Sequence, residues 1–274
     1  MKVFLINLEQ SHHRLEQMSR AFSKQGIAFE RFVATDARAM TAKQIADVTV
    51  SDREMQRPLL PSEVGCFLSH RGIWETGVNR NLNWVAVFED DVHLADHAST
   101  VLNSVNDWLP PDADIIKLET VFKKVAVSKH FHQIRPGIIL RHLHSDHWGT
   151  GGYIVTRAGM KKLLAESARI GMAVDTFMFT PGAVANLSLT VYQLEPALCV
   201  QDQCLPEGDP RRTEIVSEIT AEKAQANRRV PPKNLKALGF STYLRQKLKR
   251  RTGKLLAPFI HWLKGNTRRT IDFR

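Results

Sequence analysis

Glu89, Asp90 and Asp91 stand in a row directly after the apolar run Trp84-Val85-Ala86-Val87-Phe88. A buried strand ending in three carboxylates is costly by itself, because like charges repel and desolvation deepens the repulsion. A divalent cation relieves that cost. Hard oxygen ligands suit Mg²⁺ or Mn²⁺, which also bind phosphate oxygens. The row is therefore a candidate metal–diphosphate site, at the strand end where open α/β sheets bind ligands. The plain alternative is an acidic turn facing water. If the strand continues through the row, side chains 89 and 91 share one face and 90 takes the other. That alternation pairs Glu89 with Asp91 as metal ligands. Asp90 then faces a ribose or positions the other two.

The elements that must hold these acids read as alternating strands and helices. Lys2 to Asn7 is a strand, and Ser11 caps a helix from about His12 to Gln25, stopped by Gly26. Phe29 to Ala34 is a second strand, ending at Thr35-Asp36. A β-α-β unit of this kind implies a parallel sheet. Residues 37–60 are polar and hard to place. Pro61-Ser62-Glu63 opens a helix with Ser62 as its cap, carrying Val64, Phe67, Leu68 and Trp74 to about Gly77. Strands follow at Trp84–Phe88 and Ile115–Leu118, with a helix between them near Ser99–Trp108. Residues 123–145 suggest hairpins. A Gly-led strand from Thr150, a helix from Ala158 and a late strand from Leu189 complete the pattern. The expected class is α/β with a doubly wound core.

With 274 residues and 43% hydrophobic content, the chain can form one large domain with an appendage. No apolar stretch approaches the ~20 residues needed to span a bilayer. The start, Met1 to Glu9, turns polar too soon for a signal peptide, so a cytoplasmic chain is expected. Cys66, Cys199 and Cys204 then remain reduced thiols. The net charge of +10 is uneven: residues 228–274 hold 14 Lys or Arg against one acid, Asp272. This divides the chain into a slightly acidic body, residues 1–227, and a basic tail, residues 228–274. In the tail, apolar residues such as Leu244, Leu248, Leu255, Phe259 and Trp262 recur among Lys and Arg, roughly as an amphipathic helix broken near Gly253 and Pro258. That composition suits an anionic membrane leaflet. A nucleic-acid-binding tail is the rival reading, with no recognised binding motif to support it, so no nucleic-acid partner is expected.

Five segments carry a resemblance. They are Ile6-Asn7-Leu8 with Arg14, Ala34-Thr35-Asp36-Ala37, and the block Ser62-Glu63-Val64-Gly65-Cys66-Phe67-Leu68-Ser69-His70. Phe88-Glu89-Asp90-Asp91-Val92 is the fourth, and Gly151-Gly152-Tyr153-Ile154-Val155, with Gly159 and Val174-Asp175 behind it, is the fifth. In this order they resemble glycosyltransferase family 25, the family of lipooligosaccharide galactosyltransferases, and the bacterial members more than the animal ones. The resemblance implies a GT-A-like nucleotide-sugar fold for the body. It implies a UDP-sugar donor, UDP-galactose before another UDP-hexose or UDP-N-acetylhexosamine. It also implies a lipooligosaccharide or lipopolysaccharide acceptor, Mn²⁺ or Mg²⁺, and inversion at the anomeric carbon. A lipid-linked acceptor would place the enzyme peripherally on the inner face of the inner membrane.

Sugar transfer needs a neutralised leaving group, a general base for the acceptor hydroxyl and a nucleotide pocket. Glu89 and Asp91 are assigned to the metal. Asp175 is the candidate base, with Asp146 in a His-rich loop as its rival; a helix cap is the plain reading of Asp175. Asn7, Thr35 and Asp36 lie at the ends of the first two strands, where a uridine fits. Arg14 can reach a phosphate from the first helix, and Asp90 joins this donor-binding set. Glu63 and His70 belong to the nine-residue block without an assigned chemical step. His142, His144 and His147 lack the spacing of a helical metal pair and read as loop.

Overall fold

A computed structural model describes residues 2–50, 58–213, 219–220, 222 and 265–274. In chain order the strands are β1 (Val3–Asn7), β2 (Glu30–Val33), β3 (Trp84–Glu89), β4 (Val92–Leu94), β5 (Ile115–Lys117), β6 (Glu119–Thr120) and β7 (Lys124–Ser128). They continue as β8 (His132–Arg135), β9 (Ile138–His142), β10 (Gly152–Thr156), β11 (Val191–Glu195), β12 (Cys199–Gln201) and β13 (Asn266–Thr270). The helices are α1 (His12–Lys24), α2 (Ala42–Val48), α3 (Pro61–Asn79), α4 (Ala98–Asn103), α5 (Val105–Trp108), α6 (Arg157–Ala165), α7 (Val174–Phe179) and α8 (Pro181–Asn186). Among the described residues, no helix is long and apolar enough to cross a membrane.

The class is α/β, built on an eight-stranded sheet of order β2-β1-β3-β10-β5-β11-β9-β8. β1 pairs in parallel with β2 and with β3, as the β-α-β reading expects. β11 likewise pairs in parallel with β5. β10 inserts antiparallel between β3 and β5, with Gly152 opposite Phe88. The loop after β9 delivers the chain to the C-terminal end of β3, so β10 must run back along it. The sheet is therefore mixed: β2, β1, β3, β5 and β11 run one way, β10 is inserted against them, and β9 runs against β11 at the far edge.

Strand side chains alternate between faces, and the core divides accordingly. Phe4, Ile6, Val85, Val87, Tyr153 and Val155 share one apolar cluster with Phe67 and Trp74 of α3 and with Met160 and Leu163 of α6. Val3, Leu5, Ala86, Phe88 and Ile154 share the other with Met18 and Phe22 of α1 and with Val101 and Leu102 of α4. Near-continuous apolar strands such as β1 and β3 reflect this burial on both faces.

Two local details differ from the sequence reading. Leu60, not Ser62, is the N-cap of α3, and Pro61 takes the first helical position. Proline's fixed φ suits that position, which moves the cap upstream. The Glu63 carboxylate then accepts the Leu60 N–H at 3.1 Å. Within residues 37–60, α2 carries a capping box, Thr41 with Gln44, a signature present in the sequence but not used.

The expected tail also divides differently. Residues 228–264 lie outside the described residues, but the end of the chain belongs to the body. β13 pairs antiparallel with β7. Ile271 is buried, its carbonyl accepts from Thr120 Oγ1 at 2.7 Å, and the Asp272 carbonyl accepts from Ala197 N at 2.8 Å.

α3 lies very close to the loop after β2. A Cβ on Gly65 would collide with the Thr35 carbonyl and sit 3.1 Å from Ala37 N. Backbone cannot yield as a flexible side chain can, so Gly65→Ala forces the helix away. The substitution is expected to cost about 1–3 kcal/mol, measured as a lower denaturation midpoint with an unchanged denaturant slope.

Candidate active site

The site begins with spacing on α3. His70 and Trp74 are one turn apart, so they share a face. Tyr153 on β10 is paired with Val87 on β3. Glu89 follows Val87 by two residues and shares its face. The four side chains meet between helix and sheet. Trp74 Nε1 donates to the Tyr153 hydroxyl oxygen at 3.0 Å, and His70 Nδ1 lies 2.8 Å from that oxygen. His70 Nε2 lies 3.1 Å from Glu89 Oε1. Indole can only donate, which leaves the tyrosine proton for His70 Nδ1 and the Nε2 proton for Glu89. A directed relay thus runs from Trp74 through Tyr153 and His70 to the carboxylate. Tyr153, His70 and Trp74 are fully buried.

Glu89 receives two further bonds, from Thr150 Oγ1 at 2.5 Å and from Gln201 Nε2 at 2.9 Å. Burial acts to raise its pKa. The His70 and Thr150 bonds, helped by the Lys117 charge, outweigh burial and hold the carboxyl below its usual range. Asp90 is committed differently. Asn7 Nδ2 donates to Oδ2 at 2.6 Å, and Arg14 Nη1 lies 3.2 Å from Oδ1. Asp91 is the exception. It is 6% exposed, and its Oδ1 is buried with no hydrogen-bond partner. Burial pushes its pKa well up, and the Glu89 and Asp90 charges push it further.

β3 ends at Glu89, and Asp90 and Asp91 form the turn into β4. The expected strand alternation therefore does not run through the row. Because the chain turns, all three acids line one cleft, together with Asn7, Arg14, Thr35 and Asp36. The Thr35 N–H is held by Ser69 Oγ at 2.9 Å. Arg38 binds both oxygens of Asp36 at 2.7 Å and holds its pKa at about 2.

A second cleft, of about 460 Å³, shares Glu89 and Cys66 with the first. Asp175 lines it. Its carboxylate accepts from Gly149 N at 3.2 Å and Thr176 N at 2.7 Å. Asp146 is exposed and lines neither cleft. Beneath the floor, Lys117 and Glu119 form a fully buried pair at 2.6 Å. Burial raises the Glu119 pKa to about 7 despite that partner. Lys117 Nζ also donates to the Gly149 carbonyl at 2.5 Å, and Glu119 accepts Gly151 N at 2.9 Å. Gly149 has φ +78°, and a Cβ there would meet Glu119 Oε1 at 2.8 Å.

Sequence reasoning left His70, Tyr153, Thr150, Gln201, Lys117 and Glu119 without roles. The resembling segments contain His70 and Tyr153, and Gln201-Asp202 after Pro196 reads in the sequence as a late contact without an assigned step. Among the described residues, Cys66, His70 and Glu89 form a close trio of potential ligand atoms. His70 already uses both nitrogens in the relay, and a thiol is a poor partner for a hard ion. Asp91 and Glu89, by contrast, offer hard oxygens, one of them an unpartnered buried carboxylate. They fit Mg²⁺ or Mn²⁺.

A cleft bounded by acids adjoins a second cleft, and the two share Glu89, so the site has room for two ligands side by side. The chain belongs to glycosyltransferase family 25 (LPS biosynthesis protein), whose model matches residues 1–178. It is 31% identical over 244 residues to the lacto-N-neotetraose biosynthesis glycosyltransferase LgtE of Neisseria meningitidis serogroup B, covering 83% of this chain and 84% of that one. It is 31% identical over 231 residues to the lipooligosaccharide biosynthesis protein lex-1 of Haemophilus influenzae, covering 76% and 74%. Among solved structures it is similar to a glycosyltransferase involved in glycosylation of the major capsid of PBCV-1. That match has a TM-score of 0.40 and 11% identity, covers 84% of this chain and 98% of that one, and is too loose to carry function.

The orphaned carboxylate has a measurable cost. Asp91→Asn removes one of three clustered charges while keeping the side chain's shape. Without added metal, the variant is expected to be more stable than the parent by about 1 kcal/mol, or about 2–4 °C in melting midpoint. Calorimetry in the presence of a chelator checks this.

Proposed function

We propose that the protein transfers galactose from UDP-galactose to a lipooligosaccharide or lipopolysaccharide acceptor, with inversion and with Mn²⁺ or Mg²⁺. The observation that carries this reading is the buried Asp91 Oδ1 without a hydrogen-bond partner, in the cleft that it lines with Glu89, the acid shared with the second cleft. Family membership and the relatives' printed roles support the substrate class. A GT-A-like description of the body follows from the same family.

Glu89 and Asp91 would hold the ion, which would neutralise the diphosphate leaving group. The relay from Trp74 fixes Glu89, as partners behind a ligand do in metal sites. Asn7 and Arg14 fix Asp90 at the edge of the donor cleft, and Thr35 and Asp36 border the same space. Asp175 is the proposed base. Two backbone N–H groups orient its carboxylate in the second cleft, where it can accept the proton of an acceptor hydroxyl. Donor and base on opposite sides of Glu89 suit attack from the face opposite the leaving group.

UDP release from UDP-galactose is the direct test. With Mn²⁺ it is expected to exceed release from UDP-glucose or UDP-N-acetylglucosamine, and chelation should abolish it. Asp175→Asn should lower transfer to deacylated lipooligosaccharide by at least 10²-fold, as loss of a general base does. Faster release from another donor keeps the enzyme class and changes the sugar.

We also propose that the basic stretch within 228–264 holds the enzyme peripherally at an anionic membrane surface, on the cytoplasmic side. Its composition supports this. The deletion that tests it must spare residues 265–274, because β13 and Ile271 belong to the body. Removing 235–264 alone is expected to abolish sedimentation with phosphatidylglycerol vesicles and leave UDP release intact. Unchanged sedimentation sinks the proposal.

A further inference from the structure

Trp148 has the largest exposure, 59%, among the exposed large apolar side chains of the described residues. It stands at the second cleft, together with Lys123, whose Nζ lies 3.4 Å from its ring centroid. An aromatic ring lining a cleft of mixed polar and apolar surface is well placed to contact a ligand bound there.

The backbone around this ring is pinned on both sides. His147, 3% exposed, donates from Nδ1 to the Trp148 carbonyl at 2.8 Å. The next residue, Gly149, gives its N–H to Asp175 and its carbonyl to Lys117. Thr150 donates to Glu89, and Gly151 N is held by Glu119. A rigid backbone that carries a solvent-exposed aromatic ring gains nothing for folding from that ring. It does gain for binding, because the ordering cost is met before a ligand arrives. The cation of Lys123 over the ring further restricts its orientation.

The chemistry of the cleft selects the ligand. A pyranose has an apolar C–H face that packs on an aromatic plane, while its hydroxyls remain available to polar groups. Asp175, Thr176 and Gln203 supply such groups around the same cleft. Trp148 is only two residues from Thr150, which bonds the acid row, so a sugar on this ring lies beside the transfer centre. The geometry points to Trp148 as the platform of an acceptor subsite that binds the terminal pyranose of the acceptor glycan. This rests on the transferase reading above. It adds the residue that selects and orients the second substrate.

Trp148→Ala and Trp148→Phe test the assignment. Because the ring is exposed, both variants should melt as the parent does. At saturating donor, Trp148→Ala is expected to raise the KM for deacylated lipooligosaccharide at least tenfold. Acceptor-free UDP release should stay within twofold, and Trp148→Phe should recover most of the affinity. An unchanged acceptor KM in Trp148→Ala overturns the subsite while leaving the transferase reading intact. Should the parent release no UDP from any donor, the transferase reading fails instead. Tryptophan emission titrated with methyl β-glucoside, methyl β-galactoside and methyl β-N-acetylglucosaminide then judges the subsite alone. A saturable change in the parent that Trp148→Phe lacks supports it, and no change with any of the three overturns it.

Discussion

Repulsion among Glu89, Asp90 and Asp91 is the constraint around which this end of the sheet is built. Three carboxylates on one turn cannot all be dry and charged without compensation. Each is compensated differently. Glu89 is surrounded by donors from α3, from the loop before β10 and from β12. Asp90 takes a guanidinium and an amide from the first β-α unit. Asp91 receives neither, and its buried Oδ1 has no hydrogen-bond partner, which is the opening for the proposed cation. The folding energy comes from the apolar clusters on the two faces of the sheet. That stability allows one carboxylate to remain unpaired, a local cost of the kind found where function requires it.

This arrangement gives the resembling segments a common physical meaning. The nine-residue block on α3 brings His70 to Glu89, and its Gly65 lets the helix lie on the Thr35 loop. The Gly151-Gly152-Tyr153 segment brings Tyr153 under His70, while Gly149 and Gly151 pack against Glu119. The two residues just before that segment, Gly149 and Thr150, are pinned to Asp175 and to Glu89. The two clefts are therefore mechanically joined: a shift of the loop from Trp148 to Gly151 reaches both. β13 returns the chain to the body behind them, so the basic stretch is bounded on its C-terminal side by a strand of the body.

Much of this was legible in the sequence, because local patterns carry local structure. The first β-α-β unit, the apolar strand before the acids and the acids' chemical character all follow from residue type and spacing. The relay does not. His70 and Tyr153 are 83 positions apart, and a buried Trp74 reads as core until its indole N–H is given a direction. The orientation of β10 was equally hidden, because a Gly-led apolar strand pairs either way and the loop before it decides. The alternation that would turn Asp90 from its neighbours holds only if the strand runs through the row; the strand stops at Glu89, and the turn brings all three acids to one cleft. Cap placement on α3 failed because Pro61 outweighs Ser62 in setting where the helix starts.

The proposed metal site requires that Asp91 and Glu89 together hold one divalent ion, and that a nucleotide diphosphate strengthens the hold. Electron paramagnetic resonance of Mn²⁺, titrated into the full-length protein with and without UDP, tests this most directly. One bound Mn²⁺ per chain is expected, tighter with UDP, with that binding lost in both Glu89→Gln and Asp91→Asn. Equal Mn²⁺ binding by the parent and both variants, or no effect of UDP, would contradict it.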